Sequence, residues 1–514
     1  MKFTKKLLLT SFALLTVFWS CNNAQNDNNT DETDGQSEVE PNDDATPLVS
    51  LINSVSNEST ETALTEGGRH LVTLSYGINM VYSDANNGNN QIYWTGSDDF
   101  GENWKVRSPH LGSHNDGADL YSAIDANASG SYISYIEQQG QQGAGYVIHL
   151  PDPFKNPEVF NVYGPLTPPE RACKHSFVSA SKAAPNVVYG WTDVERGEIY
   201  VGFSENGTEF NEAQLISQDE YALSGPAVSI EENYAALVYQ SANPKFYPSE
   251  FDGEHDKVFP VWMESVDGGK TWSEPAMLLG HSIKDFPKIS ATLVDQRSKT
   301  TKTNLIAGNG SNIGAKQTSA LVWAAADINN PLVFFMNSQT VLDENNKLKP
   351  LDNTRNCAGI VSFKPSQLGG DWTHVISNKS MFANLNSGEK KISHSHKYSA
   401  LPKTKIRAVS YIETNASDQA TNDQLVVMIS DNGGKSFEIP FTFSAESLGL
   451  ESGTSLIYDS SPCLRSDKDG NVWMDISYHT TINDKEGLYH AGLPIAMNVK
   501  EELLMTPTNE PSPW

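Results

Sequence analysis

A short motif that returns four times constrains this 514-residue chain more than any other feature. Ser97-Asp98-Asp99-Phe100-Gly101-Glu102-Asn103-Trp104 reads Ser-x-Asp-x-Gly-x-x-Trp, and Ser265-Val266-Asp267-Gly268-Gly269-Lys270-Thr271-Trp272 reads the same. Ser430-Asp431-Asn432-Gly433-Gly434-Lys435-Ser436-Phe437 differs by Asn and Phe, and Ser204-Glu205-Asn206-Gly207-Thr208-Glu209-Phe210 is a shortened relative. Each follows an extended apolar or aromatic run, at 91–94, 198–203, 258–262 and 425–428. The Asp or Asn side chain is suited to bond nearby amides, and Gly to take a positive φ, so the motif predicts a hairpin turn. The aromatic then packs back between strands.

These turns resemble Asp boxes, the signature of sialidase-type β-propellers, where they join the third and fourth strands of a blade. The resemblance covers roughly residues 65–500 and implies a fold, not a chemistry. In that family the Asp-box residues face away from the active mouth, so they are not read as catalytic. The motif starts lie 107, 61 and 165 residues apart, which is two, one and three units of about 54 to 61. Short apolar runs near 70, 121, 176, 226, 289, 398 and 461 supply seven candidate innermost strands. The expectation is an all-β chain forming a single β-propeller of seven four-stranded antiparallel blades. The wide gap from 289 to 398, room for an insertion or another blade, leaves six and eight open; sialidase domains have six.

Composition narrows the partners. Acids outnumber bases 63 to 36, for a formal charge of −27. A duplex binder needs Lys and Arg to replace counterions, so nucleic acid is not an expected partner. Attraction of a basic face to an anionic membrane is excluded on the same ground. Four Cys provide no disulfide framework.

The N-terminus reads as an address. Lys2, Lys5 and Lys6 precede an apolar stretch at 7–19, followed by Ser20-Cys21. This resembles a bacterial lipoprotein signal over 1–20, in which Cys21 becomes the lipidated first residue. Residues 22–45 then hold eight acids and no Lys or Arg, so 21–60 is expected to be a disordered tether. The propeller is expected over 61–500 and a tail over 501–514. The protein is expected to cross the inner membrane and stay lipid-anchored at the outer membrane or cell surface, as a monomer.

In a propeller, the loops that lead into the innermost strands line one mouth of the channel. Here they carry Arg69, His114 and Asp116, Lys174-His175, Lys288, His394-Ser395-His396-Lys397-Tyr398 and Tyr458. Cations and imidazoles gathered at one rim of an acidic protein point to an acidic glycan, oligomeric or polymeric. His175, Tyr398, Tyr458, His114 and Asp116 are the candidate catalytic groups. Arg69, Lys174, Lys288, His394, His396, Lys397, Arg355 and Arg407 are the candidate substrate-binding groups. His394, His396, Cys173 and His175 would form a zinc site only if their two loops met. Neither spacing matches a common zinc motif, so no cofactor is expected.

Three functions compete. Sialidase-like glycan cleavage is what the resemblance implies. It needs three arginines on a carboxylate, an activated Tyr nucleophile and an Asp acid/base. Arg69, Arg355 and Arg407 are the available trio and Tyr458 the available Tyr, although the family's Arg-Ile-Pro start is replaced by Gly68-Arg69-His70. A uronate polysaccharide lyase needs a cation or hydrogen-bond donor on the uronate and a Tyr or His to take the C5 proton, which Lys174, His175, His396, Lys397 and Tyr398 supply. A non-catalytic glycan-binding propeller would use Trp94, Trp191 or Tyr247 as sugar platforms.

Overall fold

The computed structural model describes residues 47–53, 70–74, 76–84, 91–107, 118–168, 170–193, 195–219, 226–241, 243, 245, 257–277, 288–291, 303–306, 310–311, 320–322, 332–335, 340–342, 348–350, 359–362, 391–417, 420–432, 439–451 and 462–504. Their regular structure is almost entirely β, as the Val, Ile, Tyr and Trp content of the segments favours.

The described strands begin with β1 (Leu48–Asn53), which pairs into the last sheet, so 48–53 belongs to the propeller and not to the tether expected over 21–60; the chain then folds as successive meanders. β2 (Leu71–Leu74), β3 (Gly77–Asp84), β4 (Gln91–Ser97) and β5 (Lys105–Arg107) make one sheet. β6 (Ala118–Asn127), β7 (Gly130–Gln139), β8 (Gln142–Leu150) and β9 (Asn161–Tyr163) make the next. β10 (Cys173–Ala180), β11 (Val187–Asp193), β12 (Glu198–Ser204) and β13 (Gln214–Gln218) follow, then β14 (Ala227–Glu231), β15 (Tyr234–Ser241), β16 (Lys257–Ser265) and β17 (Ala276–Met277).

Between 288 and 362 two sheets interleave. β18 (Lys288–Ala291), β19 (Thr303–Ile306), β23 (Thr340–Leu342) and β24 (Leu348–Pro350) form one. β21 (Ala320–Val322), β22 (Leu332–Phe335) and β25 (Gly359–Ser362) form the other, and β20 (Gly310–Ser311) adds to β16. The meander then resumes with β26 (Lys391–Ala400), β27 (Arg407–Ser417), β28 (Ala420–Ser430) and β29 (Ile439–Ser444). The last sheet holds β30 (Cys463–Ser466), β31 (Asn471–Ile482) and β32 (Lys485–Asn498), and takes β1 as its fourth, outermost strand.

The first strands β2, β6, β10, β14, β21, β26 and β30 touch one another in that order, and β30 returns to β2. Sheets arranged around an axis, each with its first strand innermost, make a β-propeller. The sequence expectation of an innermost strand at 289 needs correction. Lys288–Ala291 belongs to the interleaved sheet, and β21 takes that place in the ring instead. The gap after 277 therefore holds an insertion.

The apolar cores lie between neighbouring sheets. Val72, Val81 and Trp94 meet Ile124, Ile133 and Tyr135 in one such layer. Ala123, Tyr132 and Ile136 meet Val178, Tyr189 and Trp191 in the next. β11 is buried along its whole length, as a strand covered on both faces must be. Gly145 is required at one of these seams, because a Cβ there would collide with the Trp191 indole. That indole donates its Nε1–H to the Tyr135 carbonyl at 2.9 Å, tying two sheets together.

The four motif copies each join a third strand to a fourth: β4 to β5, β12 to β13, β16 to β17 and β28 to β29. In the first, the Asp99 carboxylate accepts bonds from the Asn103 backbone N–H at 2.8 Å and from Ser97 Oγ at 2.7 Å, while Ser97 Oγ accepts from the Gly101 N–H. Asp267, Ser265, Gly269 and Thr271 repeat that pattern. Trp104 then reaches the closing sheet, donating to Ser50 Oγ at 2.9 Å.

Candidate functional site

Strand polarity fixes where a site can form. Every innermost strand leaves one face of the ring, and antiparallel pairing carries the chain back and forth. The turns after first and third strands therefore share the opposite face, with all four motif copies. The mouth lies at the start of each innermost strand.

Three innermost strands depart from regular pairing. Their registers slip by one residue between Leu120 and Ala123, between Lys174 and Phe177, and between His394 and Lys397. Each slip is a β-bulge, a device that re-aims side chains and is enriched beside active sites. In β10 the bulge places His175 at φ 51°, left-handed backbone that a non-glycine residue adopts only when its surroundings hold it there. The next residue is pinned, Ser176 Oγ donating to the Ser134 carbonyl at 3.1 Å. Lys174 and His175 are both half-buried at this mouth.

Sequence reasoning missed a row of acids across the mouth end of the β10–β13 sheet. Cys173 pairs with Asp193, Asp193 with Glu198 and Glu198 with Gln218. Cross-strand partners point to one face with Cβ atoms about 4.5–5.5 Å apart. Asp193 is buried and accepts the Glu195 and Arg196 N–H groups, capping its own loop. Glu198 is also buried and accepts the Tyr200 hydroxyl at 2.7 Å, with Arg171 Nε at 3.4 Å. Burial, then the hydrogen bond to Glu198 and its charge, hold the Tyr200 phenol well above its ordinary range. Each carboxylate thus already has local partners, and the row stiffens the rim behind Lys174 and His175. Only the β-strand register, which motifs do not report, could have revealed it.

Several predicted residues move. Arg407 is buried at the far end of β26–β27, where its Nη1 donates to the Thr404 and Ile406 carbonyls at 2.6 and 2.9 Å. It pairs in register with Ser430, the first residue of a motif copy, so it belongs to the face opposite the mouth and is withdrawn as a substrate-binding residue. Lys288 opens β18, outside the ring of innermost strands. Trp94 and Trp191 are fully buried inter-sheet residues and cannot serve as sugar platforms.

His394, His396, Lys397 and Tyr398 lie on β26, whose bulge spans His394 to Lys397; Tyr398, opposite Val409, lies past the bulge and two positions before the Ala400–Arg407 rung, so it is withdrawn from the mouth. Cys21, Arg69, His114, Asp116, Tyr247, Arg355 and Tyr458 lie outside the described residues. Among the described residues, no group of three or more His, Cys, Asp or Glu is arranged to hold a metal ion. Burial pushes the Cys173 thiol up to about 12, which makes it a poor source of thiolate.

No protein-family profile and no curated protein matches this sequence. Solved structures do resemble it. The GH93 α-L-arabinofuranosidase of Fusarium graminearum, in complex with arabinobiose, aligns at 9% identity over 88% of this chain and 98% of its own, with a TM-score of 0.41. The polysaccharide lyase Uly1 aligns at 9% identity over 84% and 91%, with a TM-score of 0.41. The Trypanosoma rangeli sialidase bound to the inhibitor DANA aligns at 12% identity over 83% and 54%, with a TM-score of 0.36.

Proposed function

We propose that this chain is a carbohydrate-active propeller that cleaves acidic glycans at the mouth of its ring. The observation that carries the reading is the bulge shared by β6, β10 and β26. In two of these strands the bulge falls within a Lys/His-bearing stretch, Lys174-His175 and His394-Ser395-His396-Lys397. Cations and imidazoles placed at one mouth of a chain with formal charge −27 favour an anionic ligand. We read the ring as seven blades and the four motif turns as Asp boxes. We read the protein as a monomer, exported and held at the outer membrane or cell surface through a lipid on Cys21.

Of the two cleavage chemistries, elimination is the better supported. The sialidase reading needs three guanidinium groups, and Arg407 lies buried at the wrong end. The lyase reading needs only a cation and a base at one mouth, and the β10 bulge holds Lys174 and His175 there. In that reaction the lysine neutralises the uronate carboxylate, and His175 takes the C5 proton. The electron pair left at C5 forms the C4–C5 double bond, and the C4–O bond breaks with a proton returned to the leaving oxygen.

A panel of acidic and neutral glycans tests this, read for reducing ends and for the ultraviolet absorbance of an unsaturated uronate. Both signals from an acidic glycan are expected. Reducing ends without absorbance would replace elimination by hydrolysis, and silence on every acidic glycan would overturn the cleavage reading.

A further inference from the structure

The segment between β9 and β10 carries the chain across the mouth face, from an outermost strand of one sheet to the innermost strand of the next. It is pinned to the start of β8. The Leu166 N–H donates to the Gly145 carbonyl at 2.8 Å, the Gly145 N–H to Thr167 Oγ1 at 2.8 Å, and the Gly143 N–H to the Arg171 carbonyl at 2.7 Å. The Arg171 N–H closes a turn onto the Pro168 carbonyl at 3.1 Å. Both backbone polar groups of Arg171 are therefore held, three residues before Lys174.

From that fixed backbone the side chain reaches the third strand of its own sheet. Its Nε stands 3.4 Å from Glu198 Oε2 at the start of β12, and the Tyr200 hydroxyl holds Glu198 from the other side at 2.7 Å. The Arg171 side chain is 19% exposed, yet its Nε is sealed from solvent without an aligned hydrogen-bond acceptor. The exposure thus falls on the rest of the side chain, away from the edge that meets Glu198. A guanidinium carries five N–H donors in a rigid fork, so one edge can lie against a buried carboxylate while another receives a second planar anion. A cation already fixed at its backbone and its inner edge loses little freedom on binding.

Lys174 and Arg171 are both half-buried, one on the innermost strand and the other beside the third. Three residues of chain keep their Cα atoms at most about 10 Å apart. We propose that Arg171 is a second anion-binding position of the mouth, taking the carboxylate of a further uronate in the glycan whose first uronate meets Lys174. The ligand then lies outward from the channel across the β10–β13 sheet. The inference rests on the acidic-glycan reading above and deepens it: the site reads two acid groups of one chain, which a single terminal acidic sugar does not supply.

Titration calorimetry of the full-length protein with hexasaccharides of alginate, hyaluronan and neutral dextran is the test. Wild-type protein is expected to bind at least one acidic hexasaccharide and not the dextran one. Arg171→Met alone would leave Glu198 buried without its cation, so the paired Arg171→Met/Glu198→Gln removes both charges and keeps an acceptor for the Tyr200 hydroxyl. That variant should melt like wild type and raise the Kd for the acidic hexasaccharide about 10- to 100-fold. Arg171→Lys, which keeps the charge without the fork, should also bind more weakly, by about fivefold or more. Either variant folded like wild type and binding as tightly would overturn the role of Arg171 while leaving the mouth reading intact. Wild-type protein that binds no acidic hexasaccharide would overturn both.

Discussion

Arg465 donates its Nε–H to Asp475 at 2.8 Å where the last sheet meets the first, with both side chains buried. The same carboxylate is bonded to His490 Nε2 at 3.0 Å and accepts Thr73 Oγ1 of β2 at 3.2 Å. The Arg465 guanidinium stacks over Phe100 and Trp473, at 4.7 and 4.9 Å from their ring centres. One buried carboxylate thus gathers groups from β30, β32 and β2. Asp475→Ala removes it and strands a buried guanidinium, so a loss of about 3–5 kcal/mol is expected. Urea denaturation of the variant against wild type measures this, and an unchanged midpoint would refute the assignment.

The motif turns predict an acid-sensitive contribution to stability. Burial tends to raise the Asp99 and Asp267 carboxyls, but hydrogen bonds from Ser97 and Asn103, and from Thr271 and Ser265, outweigh it, and both are lowered. A lowered folded-state value stabilises above the unfolded value of about 4 and is lost as pH falls through the folded value. The stability gap between wild type and Asp267→Ala should therefore be constant at neutral pH and close below about pH 4. Thermal melts across that range read it directly.

Arg407→Met should behave as a structural change. Its bonds to the Thr404 and Ile406 carbonyls hold the β26–β27 turn, so a loss of about 1–3 kcal/mol is expected. Affinity for an acidic glycan should stay unchanged in titration calorimetry. A selective loss of affinity would return Arg407 to the binding set.

At the mouth, His175→Ala should lower turnover on a susceptible acidic glycan by about 100- to 10,000-fold. Circular dichroism should be unaltered. Full activity in the variant would remove His175 from the chemistry.

Cys21→Ala tests the anchor. The variant should appear in the soluble fraction where the parent sediments with membranes, and a variant that still sediments would exclude lipidation at Cys21.

The architecture was legible because its signals are local. Ser97, Asp99 and Gly101 bond within five residues of chain, so the sequence contains the whole turn. Six of the seven expected innermost runs fall at or beside ring strands for a similar reason, since short apolar strands announce themselves. Residue 289 misled because Lys288–Ala291 has the same composition but pairs with β19 outside the ring. Arg407 misled because sequence records its type and not which end of a strand it occupies. The bulge at His175 and the row through Asp193 and Glu198 are properties of register between strands, and no spacing along one chain encodes them.

The pairing of Leu48–Asn53 with Lys485–Asn498 has a consequence for how the protein is made. A ribosome delivers β1 first and its hydrogen-bonding partner more than 400 residues later. Until then β1 is an open edge, able to bind other chains. Premature termination before 485 would leave that edge permanently unmated. Nascent and truncated chains should therefore be the aggregation-prone species, while in the finished protein the pairing of β1 with β32 closes that edge.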